Sequence, residues 1–235
     1  HMRLLILAGG KGTRLKSEVP DLPKVLAPIN NKPFLDFQMR NWLSQGVSSF
    51  IFVLHHDAEM IKKHLVSQYP ELVSKKLIEF VVEPYPLDTG GAIANAIKEL
   101  KISDKFLVTN ADTWLSSGFH EVWEFSSPAI GIIKVPDISR FGKVNYELDK
   151  ITSFEEKNNK SVEGYINAGI FLFEAIQFES WNQDIFSLER DFLPSLVAAN
   201  KLNAVKLNTN FIDIGIPADY NRFCDWISSN KTISL

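Results

Sequence analysis

The sequence holds one cysteine, Cys224, so an intrachain disulfide is excluded and a reducing compartment is expected. Cys224 lies in an apolar stretch with no histidine nearby, which argues against a thiol nucleophile. Charge of one sign is also lacking. Lys and Arg number 25 against 28 Asp and Glu, a net charge of −3, so the chain carries no electrostatic footprint for nucleic acid or an anionic membrane. A phosphate ligand must therefore meet a local cluster of cations. No apolar run reaches the ~20 residues that span a bilayer. The first residues lack a signal-peptide layout, and His1 before Met2 reads as a cloning remnant. A cytoplasmic location is the expectation. Internal repeats, low-complexity tracts and linkers are missing too. The expectation is one domain over 2–235, with lobes of about 2–112 and 113–235.

What is present begins at once. Leu4-Leu5-Ile6-Leu7 reads as a buried strand, and it runs into Ala8-Gly9-Gly10-Lys11-Gly12-Thr13-Arg14-Leu15. A strand that empties into a glycine-rich loop is how α/β proteins offer backbone N–H groups to phosphate oxygens. Two common versions do not fit. A dinucleotide fingerprint aligned on Gly10 and Gly12 needs a small residue where Leu15 stands, and a P-loop needs Lys-Ser or Lys-Thr after its last glycine.

Further on, a long proline-punctuated loop over 8–33 precedes a helical pattern from Phe34 to Gln45. Strand-like runs follow at Ser49–Leu54, Leu77–Val82 and Lys105–Thr109. Between them lie a helix over Asp57–Gln68, with Asp57 at its N-cap, and a glycine turn at Gly90-Gly91 opening a helix that ends near Leu100. This alternation predicts a parallel sheet with helices on both faces and ligands at the carboxyl ends of the strands. After Asp112 the rhythm changes. Ala129–Val135, Gly142–Tyr146, Ile151–Glu155 and Tyr165–Phe173 read as a mixed or antiparallel extension. A helix over Leu188–Ala199, short strands near 203–207 and 211–213, and a last helix from Pro217 to about Ile227 complete the expected α/β fold. His55-His56 and His64 match no zinc spacing.

The motif Leu7-Ala8-Gly9-Gly10-x-Gly12-Thr13-Arg14-Leu15, followed by Pro23-Lys24-Val25-Leu26-Ala27-Pro28, resembles the signature of the sugar-1-phosphate nucleotidyltransferases. Four later segments extend the resemblance to residue 217: Glu83 through Ala92, Asp112, Glu156-Lys157 with Asn167-Ala168-Gly169, and Phe211-Ile212-Asp213-Ile214-Gly215-Ile216-Pro217. The resemblance implies a Rossmann-like nucleotidyltransferase fold. The implied reaction is a Mg²⁺-assisted attack of a sugar 1-phosphate on a nucleoside triphosphate, giving a nucleotide sugar and pyrophosphate. Arg14, Lys24 and Asp112 take the catalytic roles; Leu7, Ala8, Gly9, Gly10, Gly12, Thr13, Arg14, Lys24, Glu83 and Gly90 hold the nucleotide. Gly142, Glu156, Lys157 and Asn167 hold the sugar phosphate, and Asp112 and Asp213 the metal. Ile216 replaces a frequent Thr of the family, and Asn158 a frequent Pro. A carboxylate at Glu83 suits the N1–H and N2–H₂ donors of guanine, although related uridylyltransferases also carry Glu there. Length and the Lys24 to Leu35 run are most like short bacterial D-glycero-α-D-manno-heptose-1-phosphate guanylyltransferases. Mannose-1-phosphate guanylyltransferase, N-acetylmuramate-1-phosphate uridylyltransferase and thymidylyl- or cytidylyltransferases stay open, as do a catalytically silent homologue and a homodimeric assembly.

Overall fold

The apolar runs form strands because each alternates its side chains between two helix-covered faces. In the computed structural model, which describes residues 1–10 and 22–229, Leu4 and Ile6 of the first strand join one buried cluster and Leu5 joins another. Phe50, Phe52 and Leu54 follow Leu4, while Ile51 and Val53 follow Leu5.

The strands are β1 (Met2–Leu7), β2 (Pro28–Ile29), β3 (Lys32–Pro33), β4 (Val47–Leu54), β5 (Ile78–Val82), β6 (Lys105–Asn110) and β7 (Thr113–Leu115). They continue with β8 (Ala129–Val135), β9 (Val144–Glu147), β10 (Lys150–Phe154), β11 (Gly164–Glu174), β12 (Asn203–Leu207) and β13 (Phe211–Asp213). The helices are α1 (Phe34–Ser44), α2 (Ala58–Gln68), α3 (Pro70–Ser74), α4 (Asp88–Leu100), α5 (Phe119–Trp123), α6 (Leu193–Ala198) and α7 (Pro217–Ser229).

Among the described residues nine strands make one sheet in the order β5-β4-β1-β6-β11-β8-β12-β10-β9. The first four are parallel, and β11 then pairs antiparallel with both β6 and β8. The expected mixed extension is thus the same sheet continued. Residues of α1, α2 and α5 pack on one face; α4 and the segment around Leu188–Leu193 pack on the other. The chain moves outward from β1 to β4 and β5, then returns across β1 to β6. That reversal opens a crevice at the carboxyl ends of β1 and β6. A third cluster joins Phe34 and Phe37 of α1, Trp114 of β7, Ile212 of β13 and Phe223 of α7, and it anchors the β7–β13 ribbon beside the crevice.

Several expectations need correction. The loop over 8–33 contains, in its described part, a 3₁₀ turn at Lys24–Leu26 and a tight β2–β3 hairpin. Asn30 and Asn31 supply the two positive φ angles of that hairpin. Gly90 and Gly91 lie inside the first turn of α4 rather than in a turn before it. Asp57 stands at the N-cap of α2 in a left-handed conformation, without a capping side-chain bond. The helix expected over Leu188–Ala199 begins as a wider π-turn, Leu188–Phe192, in which Phe192 N donates to Ser187 O (3.1 Å). Pro194 explains it, because a proline cannot donate to the carbonyl four residues back and its ring crowds that carbonyl. β7, α3 and α5 are additional, too short to leave a periodic signal.

Trp114 is 1% exposed at the centre of the third cluster. Trp114→Ala is expected to cost about 3–5 kcal/mol of stability, read from urea unfolding curves.

Candidate active site at the strand-order reversal

The crevice is built by backbone pairing. Ala8 N donates to Val53 O (3.0 Å) and Ala111 N to Leu7 O (3.0 Å), so the ends of β1, β4 and β6 lie side by side. A cavity of about 510 Å³ opens over them, lined by Leu7 and Ala8 and by Gly9, Gly10, Lys24, Glu83, Asp112 and Asp213. A second cavity of about 620 Å³ is lined by Gly142, Glu156, Lys157 and Asn167, with Glu189 and Arg190 on its other wall. Asn110, Thr113 and Asp213 line both, so the two spaces share one wall. Gly12, Thr13 and Arg14 lie outside the described residues.

Lys24 and Asp112 meet directly: Nζ lies 2.7 Å from Oδ2, with side chains 21% and 16% exposed. The 3₁₀ turn that carries Lys24 is held by its buried neighbours Val25 and Leu26. Asp213 sits across the ribbon from Thr113; its Oδ1 accepts from Gly215 N (2.8 Å), and Ile214 N donates to Asp112 O (3.0 Å). Two carboxylates from facing chain segments thus border one cavity. Among the described residues no group of three or more His, Cys, Asp or Glu forms a metal cage. A two-carboxylate set suits a hard divalent cation that keeps most of its shell for water and phosphate oxygens, and the residues present fit such an ion.

Glu83 continues from β5; its N–H donates to Leu54 O (2.9 Å), and the residue is 8% exposed. Burial pushes its carboxyl pKa up, against the bond that Oε1 accepts from Leu87 N (3.3 Å) and the nearby His55. Gly9 packs close to this carboxylate: a Cβ on it would lie 2.8 Å from Glu83 Oε2, so a larger residue would displace the Glu83 side chain. His55 Nδ1 donates to the Glu83 carbonyl (3.3 Å), and His55 packs edge-on to His56 in the same wall.

On the wall of the second cavity two glycines do structural work. Gly142 has φ +79°, and a Cβ there would lie 2.6 Å from Glu155 O, so the loop closes tightly on the backbone before Glu156 and Lys157. The β11–β8 register shifts between Asn167 and Phe171; at this bulge Asn167 Oδ1 accepts from Gly169 N (2.8 Å), and Gly169 has φ +73°.

Gly90 lines neither cavity. Its N–H donates to Phe186 O (3.0 Å), and a Cβ would lie 2.3 Å from Phe186 Cε2. Close approach of the 184–186 segment explains the glycine pair, since a Cβ on Gly91 would lie 2.3 Å from Asp184 O, and Asp88 and Thr89 line the first cavity. Asp88, with φ +60°, pairs with Arg190 (2.8 Å), while Thr89 Oγ1 donates to Glu189 Oε2 (2.9 Å). Sequence reading missed Asp88, Thr113, Glu189 and Arg190. Only the positive-φ position ahead of Thr89-Gly90-Gly91 has a local signature, and Asp masks it.

The sequence profile of the nucleotidyl transferase family matches residues 3–225. The chain belongs to the nucleotidyl transferase family. It is similar to D-glycero-alpha-D-manno-heptose 1-phosphate guanylyltransferase of Campylobacter jejuni, 36% identical over 94% of this chain and 98% of that relative. The protein so named from Aneurinibacillus thermoaerophilus is 33% identical over 94% of this chain and 96% of its own length. The crystal structure of HddC from Yersinia pseudotuberculosis complexed with GMP-PN superposes with a TM-score of 0.83 at 36% identity, covering 96% of this chain and 99% of that one. The family assignment makes the chain a nucleotidyltransferase of the mixed α/β class expected from sequence.

Because burial raises the Glu83 pKa, the folded state holds that proton more tightly than the unfolded one, and stability falls as pH rises through the raised value. Glu83→Gln removes this loss. The variant is expected to gain stability over the parent as pH increases from the ordinary glutamate range through the raised one, then to keep a constant margin. Urea midpoints at a series of pH values read the difference.

Proposed function

We propose that the chain transfers a guanylyl group from GTP to D-glycero-α-D-manno-heptose 1-phosphate, releasing pyrophosphate. The observation that carries this reading is the pair of cavities meeting at Asn110, Thr113 and Asp213, which suits two polyanions brought end to end. The relatives similar over nearly their whole length and named for this reaction support the choice of base and sugar.

In this reading the nucleotide lies in the first cavity, with the backbone of Leu7 to Gly10 against its phosphates and Glu83 toward the base. Gly12, Thr13 and Arg14 keep the roles implied by resemblance. An ionised Glu83 accepts from N1–H and N2–H₂ of guanine, an arrangement that uracil and thymine cannot match. Glu156 and Asn167 take sugar hydroxyls, and Lys157 takes the 1-phosphate. A phosphate oxygen of the sugar attacks the α-phosphorus while the bond to the bridging oxygen breaks and pyrophosphate leaves. The nucleophile is already anionic, so no general base is needed. Positioning and charge neutralisation supply the catalysis. Asp112 and Asp213 would hold Mg²⁺, which adds positive charge beside both phosphates. Lys24, released from Asp112 in the loaded site, serves the nucleotide phosphates from the wall of the first cavity. No helix among the described residues is long and apolar enough to cross a membrane; with the lone cysteine this supports a cytoplasmic site of action.

The test is pyrophosphate release with GTP, UTP, dTTP and CTP crossed with heptose and mannose 1-phosphates. Turnover with GTP and the heptose supports the reading. A preference for mannose 1-phosphate replaces the sugar, a preference for another triphosphate replaces the base argument, and no turnover with any pair favours a silent homologue. Asp112→Asn is expected to lower kcat by about 10²–10³ in saturating Mg²⁺. For the base, Glu83→Gln is expected to cost about 10-fold or more in kcat/KM for GTP while leaving the sugar phosphate KM unchanged.

A further inference from the structure

Helix α1 and its C-cap carry three side-chain amides, Gln38, Asn41 and the C-cap Gln45, at spacings that place them on one helix face. All three donate to β7 and its approach. Gln38 Nε2 bonds Ala111 O (3.0 Å) and Thr113 O (2.7 Å), while Asn41 Nδ2 (2.8 Å) and Gln45 Nε2 (3.0 Å) both bond Leu115 O. These carbonyls alternate along the strand and so face one side. The opposite side pairs with β13, which carries Asp213. Helix side chains therefore stand in for a third strand along the ribbon.

Gln38 differs from the other two. It is fully buried, and its amide grips the carbonyls immediately before and after Asp112. Both neighbours are acceptors, so chemistry alone orients the nitrogen toward them. Its Oε1 meets no donor among the described residues. A buried amide with an unsatisfied oxygen is an unfavourable way to fill core space that a methionine could fill as well.

We propose that Gln38 is a positioning residue for Asp112. By holding the carbonyls of the residues on both sides, Ala111 and Thr113, it sets the direction of the carboxylate at the junction of the two cavities, where Lys24 Nζ meets it at 2.7 Å. The inference rests on the reading of Asp112 as a metal ligand. Partners behind a metal ligand commonly change metal affinity or activity 10- to 100-fold when removed.

Gln38→Met keeps the length of the side chain and loses both donors. Asn41→Leu is the matched control, because Leu115 O keeps its bond from Gln45. Binding of Mn²⁺ to the protein alone is followed through the free-ion electron paramagnetic resonance signal, alongside kcat, the KM of each substrate and the thermal midpoint. Gln38→Met is expected to weaken Mn²⁺ binding and lower kcat about 10-fold, with both KM values within about twofold. Asn41→Leu is expected to lower only the thermal midpoint. Equal Mn²⁺ affinity and kcat in the two variants, whatever their stability, would overturn the proposal. If Gln38→Met does not fold, Gln38→Asn, whose amide is withdrawn by one methylene, takes its place with the same direction expected and the same overturning result. Asp112→Asn runs alongside. Retention of Mn²⁺ binding there overturns the metal reading itself, whereas loss there with wild-type behaviour at Gln38 overturns only the positioning role.

Discussion

A single backbone hydrogen bond, from Ala111 N to Leu7 O, ties the first residue after β6 to the last residue of β1. The arrangement depends on that junction because the parallel strands reverse their order there, leaving both loop ends without a covering helix. Everything with candidate chemistry reaches the same place from elsewhere: Glu83 from the end of β5, Lys24 from a 3₁₀ turn, Asp213 across the ribbon from Thr113. The cost of gathering three carboxylates is lowered by separation and pairing. Asp112 has Lys24, Asp213 has a backbone N–H, and Glu83 is buried enough to hold its proton more tightly.

Close backbone packing around the two cavities explains where glycine is required. Gly142 makes room for the backbone before Glu156, and Gly90 with Gly91 for the segment running into the π-turn. That segment faces two ways. Through Asp88–Arg190 and Thr89–Glu189 it links the head of α4, on the first cavity, to the wall of the second. The two cavities are therefore joined by short polar contacts as well as by a shared wall.

The β7–β13 ribbon is the least sheet-like part of the fold and the most consequential. Separate from the nine-stranded sheet, it is held by an aromatic cluster on α1 and α7 and by amides from α1. A three-residue strand cannot stand alone. Its placement is a property of the helices around it.

The sequence by itself determined the elements whose signal is local and repetitive. β1, β4, β6 and β8 read directly as apolar runs, and the alternation of strand and helix up to Asp112 implied the parallel half of the sheet, because burial on two faces demands continuous apolar residues. Motif order also brought Lys24, Asp112 and Asp213 into one hypothesis before any contact was known. Only the tertiary structure decided what depends on distance in space. The backbone partner of Gly90 is one such matter: its N–H lies on Phe186 O, 96 residues away in sequence. β7 is too short for periodicity to show, and Pro194 acts on its helix only through the geometry of the preceding turn. Gln38 reads in sequence as one more polar residue on an amphipathic helix. Its grip on the carbonyls flanking Asp112 exists only because α1 packs along β7.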